Sequence, residues 1–206
     1  MTEVAALTGA DGRTLSHRGQ RTRRRLLEAA EAVFADLGYH DASIVKITEA
    51  AGVAQGTFYL YFASKRELFD ELVMDLNMRV RHAMAEGARG GRTRAEVERL
   101  GFRSFFRFTA EHPALYRIIR QAEFVSPETM HRHYDRLSEG YVAGLQGAMD
   151  SGEIAPGNPE VLAWALMGIG ELVGMRWILW DHGSEVPEDV FTEIERIIDS
   201  VLRRDA

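Results

Sequence analysis

Side chains capable of acid–base chemistry or metal binding are scattered through this 206-residue sequence. His131 and His133 are two positions apart, and on a helix such neighbours point about 200° apart, so they cannot chelate one metal ion. Glu171 stands alone in an apolar stretch, and Asp181–His182 has no nucleophile motif nearby. The absence of cysteine excludes disulfides and thiolate metal sites. We therefore predict no catalytic residues, no metal and no cofactor, hence a protein that is not an enzyme.

Hydrogen-bonding side chains concentrate instead in Ile44–Phe62, which reads IVKITEAAGVAQGTFYLYF. The segment has the pattern of two short helices joined by a tight turn, for which Gly52 supplies a positive φ. Ala51 is small enough for the helices to touch there. Apolar residues that would close the core between the helices are Ile47, Val53 and Phe58. The pattern predicts a helix-turn-helix.

The second of these helices, predicted from about Gln55 to Tyr61, carries side chains suited to duplex DNA. A recognition helix presents its N-terminal residues to base edges in the major groove. Those residues are Ala54, Gln55, Gly56 and Thr57. Gln55 can bond bidentately to adenine, Thr57 can touch a thymine methyl group or a phosphate, and Gly56 allows close backbone approach. The hydroxyl groups of Tyr59 and Tyr61 suit phosphate oxygens.

Basic and polar residues flanking the motif predict further phosphate contacts. Lys65 lies in the first turn of the next helix, where backbone N–H groups already favour an anion. Ser43 and Lys46 are expected on the opposite backbone, with Thr22 and Arg23 adding contacts. Although the net charge is −6, the segment Arg13–Arg25 holds six arginines and no acid. Those arginines either contact a polyanion or remain solvated.

The remaining pattern predicts an all-α protein. Order is expected to begin near Thr22, with a first helix whose apolar stripe runs from Leu26 and which ends at Gly38. Ser64 with Glu67 is expected to form a capping box for a fourth helix. A glycine-rich break follows at residues 87–91. Later helices are predicted near 93–110, 113–122, 127–151, 159–181 and 187–204. No stretch alternates with period two for long enough to form a strand.

From Thr22 to about Leu72 the sequence resembles the TetR/AcrR family of transcriptional regulators. The resemblance rests on TRRRLLEAAEAVFADLGY, ITEAAGVAQGTFYLYF and SKRELF, with Thr48 where the family usually has alanine and Val45 where it often has a polar residue. It implies a three-helix DNA-binding domain at 18–64 after a disordered basic arm at 1–17, then an effector-binding and dimerisation domain at 65–206. It also implies a homodimeric repressor on a palindromic DNA operator, released by a small hydrophobic effector. The alternative is a helical interaction module that never meets DNA.

The C-terminal helices are rich in aromatic residues and methionine, which either fill a bundle core or also line an effector site. The candidate ligand-binding residues are Phe102, Phe105, Phe106, Arg117, Arg120, Tyr134, Trp164, Met167, Glu171 and Met175. An arginine could bind a carboxylate or phosphate, which favours a fatty acid or fatty acyl-CoA. The alternative is a neutral or cationic aromatic drug, with Glu171 as counter-charge and an efflux gene as the target.

The last helix has an apolar face wide enough for two surfaces, and the helix before it carries glycines that permit close approach. The resemblance implies pairing of these helices with their dyad copies. The candidate dimer-interface residues are Gly170, Gly174, Phe191, Ile194, Ile198 and Val201. The alternative is that this face covers only its own core. Because Glu171 and Arg176 interrupt the most apolar run and the first residues lack a signal-peptide core, we predict a cytoplasmic protein without a membrane span.

Overall fold

The computed structural model describes residues 8–10 and 12–203, and within them the predicted all-α fold is confirmed. The helices are α1 (His17–Asp41), α2 (Ile44–Ala51), α3 (Gln55–Phe58), α4 (Lys65–Ala88), α5 (Arg94–Glu111), α6 (Ala114–Val125), α7 (Pro127–Asp150), α8 (Pro159–Gly174) and α9 (Glu188–Leu202). A π-helix, Met175–Trp180, continues α8. Among the described residues, the β pairing that is found is an isolated bridge between Thr8 and Thr14.

The first helix begins at His17, so the expected start near Thr22 was wrong. Ser16 caps it, because its Oγ accepts the Gly19 N–H. Upstream, the Ala10 N–H donates to the Leu60 carbonyl at 3.1 Å. Residues 1–7 and 11 of the predicted disordered arm lie outside the described residues, and disorder of the arm stays a prediction.

One compact unit comprises the described residues up to Asp75 together with Arg117–Met130. Its core contains Phe34 and Phe69, packed edge to face with ring centroids 5.3 Å apart. Leu68, Phe69 and Leu72 are fully buried. The compact unit therefore includes the first half of α4 and extends beyond the predicted boundary at residue 64, because this half of α4 supplies part of the core.

The second compact unit comprises Leu76–Tyr116 and the described residues from His131 onward. Phe102 and Phe106 of α5 lie in its core. Two ion pairs join α5 to α9, Arg99 to Asp199 at 2.6 Å and Arg103 to Glu188 at 2.9 Å. The Arg103 guanidinium also lies 4.0 Å from the centre of the Phe191 ring, so α9 is held through both charge and aromatic contact.

Most of the predicted dimer-interface residues lie inside this unit, which corrects the prediction. Phe191, Ile194 and Ile198 are almost fully buried in the core of their own chain. A Cβ added at Gly170 would contact Phe102 and Phe105, and one added at Gly174 would overlap the Tyr116 hydroxyl. Periodicity identifies an apolar face but does not say what covers it. Of the six predicted residues, Val201 is exposed, with 45% of its surface accessible.

Residues Pro159–Trp180 are long and apolar enough to cross a membrane, with a mean hydropathy of 1.4. One third of this stretch is buried in the fold. Its buried residues include Ala163, Leu166, Met175 and Ile178. A helix that contributes to a protein core passes the same test of length and composition, so the test alone does not indicate a membrane span.

A buried polar pair connects α4 to α7 within the second unit. The Asn77 amide donates to the His133 carbonyl at 2.8 Å and lies 3.2 Å from His133 Nδ1. Both residues are almost fully buried. Burial lowers the pKa of His133 to about 4, because the charged imidazolium would lose its hydration. The ring is therefore neutral at pH 7, with Nδ1 placed to accept from Asn77.

We predict that His133 makes the fold acid-sensitive. Its pKa is lower in the folded chain than in the unfolded chain, so the unfolded state takes up the proton first. The contribution of His133 to the free energy of unfolding is fully present above pH ~6.5 and is lost as the pH falls toward ~4. At pH ~4.5 the free energy of unfolding is lower by about 2–3 kcal/mol. In urea unfolding, the stability advantage of the wild type over His133→Gln should shrink by that amount. The exposed His131→Gln is the matched control, and equal shrinkage in both variants would contradict the assignment.

Candidate nucleic-acid interface

Helix α2 is fixed at both ends by caps visible in the sequence. Ser43 accepts the Lys46 N–H on its Oγ at 3.2 Å. At the other end Gly52 has φ 63° and ψ 41°, the left-handed conformation that ends the helix at little cost for glycine. Arg25 of α1 adds a contact that the sequence did not indicate, because its guanidinium donates to the carbonyls of Ala51 and Gly52.

Helix α3 ends at Phe58, earlier than the predicted Tyr61. Beyond it the chain continues in turns, with the Leu60 N–H donating to the Thr57 carbonyl and the Tyr61 N–H donating to the Phe58 carbonyl. Phe58 is fully buried and anchors this short helix. A single turn of helix on a buried aromatic anchor keeps one side of the segment in solvent.

The predicted base-reading residues lie together on that solvent side. Ala54, Gln55 and Gly56 are exposed, and Thr57 is half-buried. In the part of the chain that the structure describes, no hydrogen bond involves the Gln55 side chain. Half of the Tyr59 surface is exposed, and its ring packs edge-on against Phe58 with centroids 5.3 Å apart. Amide, hydroxyl and phenol groups are therefore presented to solvent from one short segment.

The predicted phosphate contacts of α1 and α2 have partners within the chain. Arg23 forms an ion pair with Glu71 and lies 5.1 Å from the centre of the Phe62 ring. Burial raises the pKa of Glu71, against the opposing effect of Arg23. The Thr22 hydroxyl donates to the Arg18 carbonyl, and Lys46 Nζ donates to the Asp41 carbonyl at 3.2 Å. Any DNA contact by these groups would share or replace these bonds.

Lys65 makes hydrogen bonds within the chain that the sequence did not reveal. Its ammonium donates at 2.7 Å to the carbonyls of both Tyr39 and Ala42, and it lies 4.3 Å from the centre of the Tyr39 ring. Burial lowers its pKa, because the ammonium is partly removed from water. The predicted cap beside it is confirmed in part: Ser64 accepts the Glu67 N–H, whereas Glu67 accepts the N–H of Ala63, one residue before the cap. Lys65 therefore serves the end of α1, and its phosphate contact stays a prediction.

The predicted ligand-binding residues are divided between the two compact units. Arg117 and Arg120 are exposed in the first unit, where Arg117 donates to the Ala35 carbonyl at 3.0 Å. The others belong to the second unit. There Phe102, Phe106 and Met175 are buried, whereas Phe105 and Met167 are half-buried. The arginines and the aromatic core are thus not brought together within one compact unit.

Tyr134, Trp164 and Glu171 do come together within the second unit. The Tyr134 hydroxyl donates to Glu171 Oε2 at 2.9 Å. The rings of Tyr134 and Trp164 lie 5.6 Å apart, and 44% of the Trp164 surface is exposed. Glu171 thus accepts from a tyrosine whose ring packs against Trp164, a partner for Glu171 that the sequence did not suggest.

A groove of about 340 Å³ lies elsewhere in the second unit, between α4 and α5. Its lining residues are Ala83, Glu86, Gly87, Ser104, Arg107, Phe108 and Glu111. None of the predicted ligand residues lines it. Gly87 is needed there, because an added Cβ would overlap the Ser104 side chain.

Comparison with known proteins identifies relatives for both parts of the chain. Residues 26–72 match the sequence profile of the bacterial regulatory proteins of the tetR family. The HTH-type transcriptional regulator YdgC of Bacillus subtilis is 45% identical over 67 residues, which span 32% of this chain and 34% of that protein. The fatty acid metabolism regulator protein of Bacillus subtilis is 30% identical over 164 residues, covering 77% of this chain and 84% of that protein.

A solved structure has a similar fold along most of its length. It is the transcriptional regulator FadR from Bacillus subtilis in complex with stearoyl-CoA. The two align with a TM-score of 0.76 at 22% sequence identity, over 87% of this chain and 99% of the other. Because this identity is low, the alignment supports the fold alone.

Proposed function

This chain belongs to the tetR family of bacterial regulatory proteins, and on that premise we propose that it is a homodimeric, cytoplasmic repressor of a palindromic operator, released by a fatty acyl-CoA or fatty acid. The observation that carries the effector class is the 30% identity to a fatty acid metabolism regulator over 84% of that protein's length. Membership in a family of transcriptional regulators argues against the alternative of an interaction module that never meets DNA. The effector, the operator and the dimer are the parts proposed here.

The proposed reading of DNA rests on which side chains are exposed. Gln55 is exposed at the start of α3 and makes no side-chain hydrogen bond to the residues that the structure describes, so we propose that its amide binds a base edge. Gly56 and Thr57 lie beside it in the sequence. The hydroxyl groups of Tyr59 and Tyr61 are assigned to phosphate oxygens in this proposal. Lys46 Nζ donates one N–H to the Asp41 carbonyl, and an ammonium has two further N–H donors that could bind a phosphate oxygen. The proposed contact set is completed by Thr22, Arg23, Ser43, Ala54 and Lys65.

We predict different effects for two substitutions in this set. Gln55→Ala should relax sequence preference at one position of each half-site, at a cost of about 1–3 kcal/mol, because an adenine contact is lost. Lys46→Ala should weaken binding to all sequences and reduce the salt slope by about one unit, because a phosphate contact is lost. Selection from a random duplex library, then titration at two salt concentrations, measures both. A wild-type protein that selects no sequence would refute the operator proposal, and identical profiles for the variants would refute the division of roles.

The proposed effector is consistent with the composition of the second unit. Its helices carry exposed and half-buried aromatic and methionine side chains, which suit an acyl chain. A ligand releases DNA only by binding better to the form that does not read the operator, since equal affinity shifts nothing. One observation favours a second candidate, a cationic aromatic compound: the Glu171 carboxylate accepts from the Tyr134 hydroxyl, and the Tyr134 ring packs against the half-exposed Trp164.

We predict that stearoyl-CoA binds the protein and dissociates it from the selected operator, whereas coenzyme A without an acyl chain does neither. Fluorescence anisotropy of labelled operator and calorimetry of the protein alone measure the two events. Glu171→Gln separates the candidates, because it should leave acyl-CoA affinity unchanged but weaken a cationic dye such as rhodamine 6G by about tenfold. Binding and release by the dye, with no response to acyl-CoAs of any chain length, would overturn the effector proposal.

The proposed dimer uses apolar side chains that the fold leaves exposed on α8 and α9. On α8 these are Val161, Trp164 and Leu172, which recur at helical spacing and are 64%, 44% and 62% exposed. On α9, Ile197 is 38% exposed while its neighbour Ile198 is fully buried. Ile197 and Val201 are four positions apart and share one side of α9. Large apolar residues exposed on one part of a chain indicate a protein interface.

We predict that Leu172→Asp produces a folded monomer, because it places a charge in an apolar interface. Met78→Asp is the matched control, since Met78 is 59% exposed on α4 and the dimer should survive there. Ile198→Asp should instead unfold the chain, because it buries a charge in the core. Sedimentation velocity and far-UV circular dichroism distinguish these results. A wild-type monomer at micromolar concentration would refute the dimer, and an unaffected Leu172→Asp dimer would refute this interface.

A further inference from the structure

The segment Gly38–Ala42, which we call the α1–α2 joint, sets the direction in which α2 leaves α1. Gly38 has φ 76° and ψ 167°, so the chain leaves the helical path at this residue. The Ala42 N–H returns to the Gly38 carbonyl at 3.1 Å. Since α2 starts at Ile44, two residues after the joint, a change in the joint turns α2 and α3 together.

Side chains from two other helices hold the backbone of Tyr39 within this joint. From α6, Gln121 Oε1 accepts the Tyr39 N–H at 2.5 Å, and Gln121 Nε2 donates to the Arg117 carbonyl at 3.0 Å. From α4, Lys65 Nζ donates to the Tyr39 carbonyl at 2.7 Å. The N–H and the C=O of Tyr39 thus both depend on side chains from elsewhere in the chain.

The ring of Tyr39 is also in contact with side chains from α1 and α4. It stacks on Phe34 with centroids 5.7 Å apart and meets Phe69 edge to face at 5.1 Å. Lys65 lies over its face. Arg117 of α6 extends the contact to the Ala35 carbonyl of α1. The hydrogen bonds of the joint therefore lie on a packed aromatic base, and losing one of them shifts the backbone without dissolving the core.

Both α4 and α6 continue from the first compact unit into the second. The division falls between Asp75 and Leu76 in α4 and between Tyr116 and Arg117 in α6. We propose that Gln121 and Lys65 are positioning residues for the helix-turn-helix, because they fix the backbone of Tyr39 in the α1–α2 joint and, through it, the orientation in which α2 and α3 meet DNA. The second part of this inference rests on the proposed function; the positioning of Tyr39 does not.

The test compares variants at Gln121 in the full-length protein. Gln121→Leu removes the acceptor for the Tyr39 N–H. Gln121→Glu keeps that acceptor at nearly the same length and loses only the donor to the Arg117 carbonyl. Gln146→Leu is the matched control, since Gln146 makes an exposed contact with Asp150 on α7. Three quantities are measured: amide exchange of Tyr39 by NMR, affinity for the library-selected operator, and affinity for random duplex DNA. Circular dichroism and thermal unfolding report whether each variant is folded.

We expect Gln121→Leu to speed exchange of the Tyr39 amide and to lower operator affinity by about tenfold, with random-DNA affinity unchanged. Gln121→Glu should restore most of both, and Gln146→Leu should match the wild type. Equal losses on operator and random DNA, or wild-type operator affinity in Gln121→Leu, would overturn the inference. If Gln121→Leu does not fold, Gln121→Asn, whose shorter side chain cannot reach Tyr39, replaces it. A wild type without any operator refutes the proposed function instead, and Tyr39 exchange still tests the positioning.

Discussion

The last carbonyl groups of a helix have no partners within that helix, and the break after α1 is where this constraint matters most. Gly38 turns the chain out of its helical path, which leaves the backbone of Tyr39 and the carbonyl of Ala42 to be satisfied from elsewhere. Lys65 and Gln121 supply the bonds. A lysine suits this place, because a helix C-terminus favours a cation and an ammonium has three donors for several carbonyls.

The same solution recurs at the end of α2, where Arg25 donates to the carbonyls of Ala51 and Gly52. The basic residues of the first unit therefore have two kinds of use. Arg25 and Lys65 hold helix ends, Arg23 pairs with Glu71, and others such as Arg18 and Arg21 remain exposed. A count of arginines in this region consequently overstates the charge available to a phosphate backbone.

Local interactions were predictable from the sequence and distant ones were not. The Ser43 and Ser64 caps and the Gly52 turn involve residues within about four positions, so spacing alone identified them. Lys65 meets Tyr39 across 26 positions and Gln121 meets Tyr39 across 82, and no periodic pattern encodes such pairs. The α9 stripe was likewise identified as apolar, but Ile197 and Ile198 are adjacent in sequence and opposite in burial. Which side of an amphipathic helix faces its own core depends on the tertiary packing.

The free energy of the hydrogen bonds in the α1–α2 joint limits the change in DNA affinity that a ligand could produce through this segment. Removing one partner of a partly buried hydrogen bond typically costs about 1–3 kcal/mol. Coupling free energies between two sites in regulatory proteins are commonly about 1–3 kcal/mol as well, which corresponds to roughly 5–150-fold in affinity. Losing or keeping the Gln121 bond to Tyr39 is therefore of the right size to account for a regulatory response. The aromatic packing of Tyr39 against Phe34 and Phe69 would meanwhile keep the unit folded in both states.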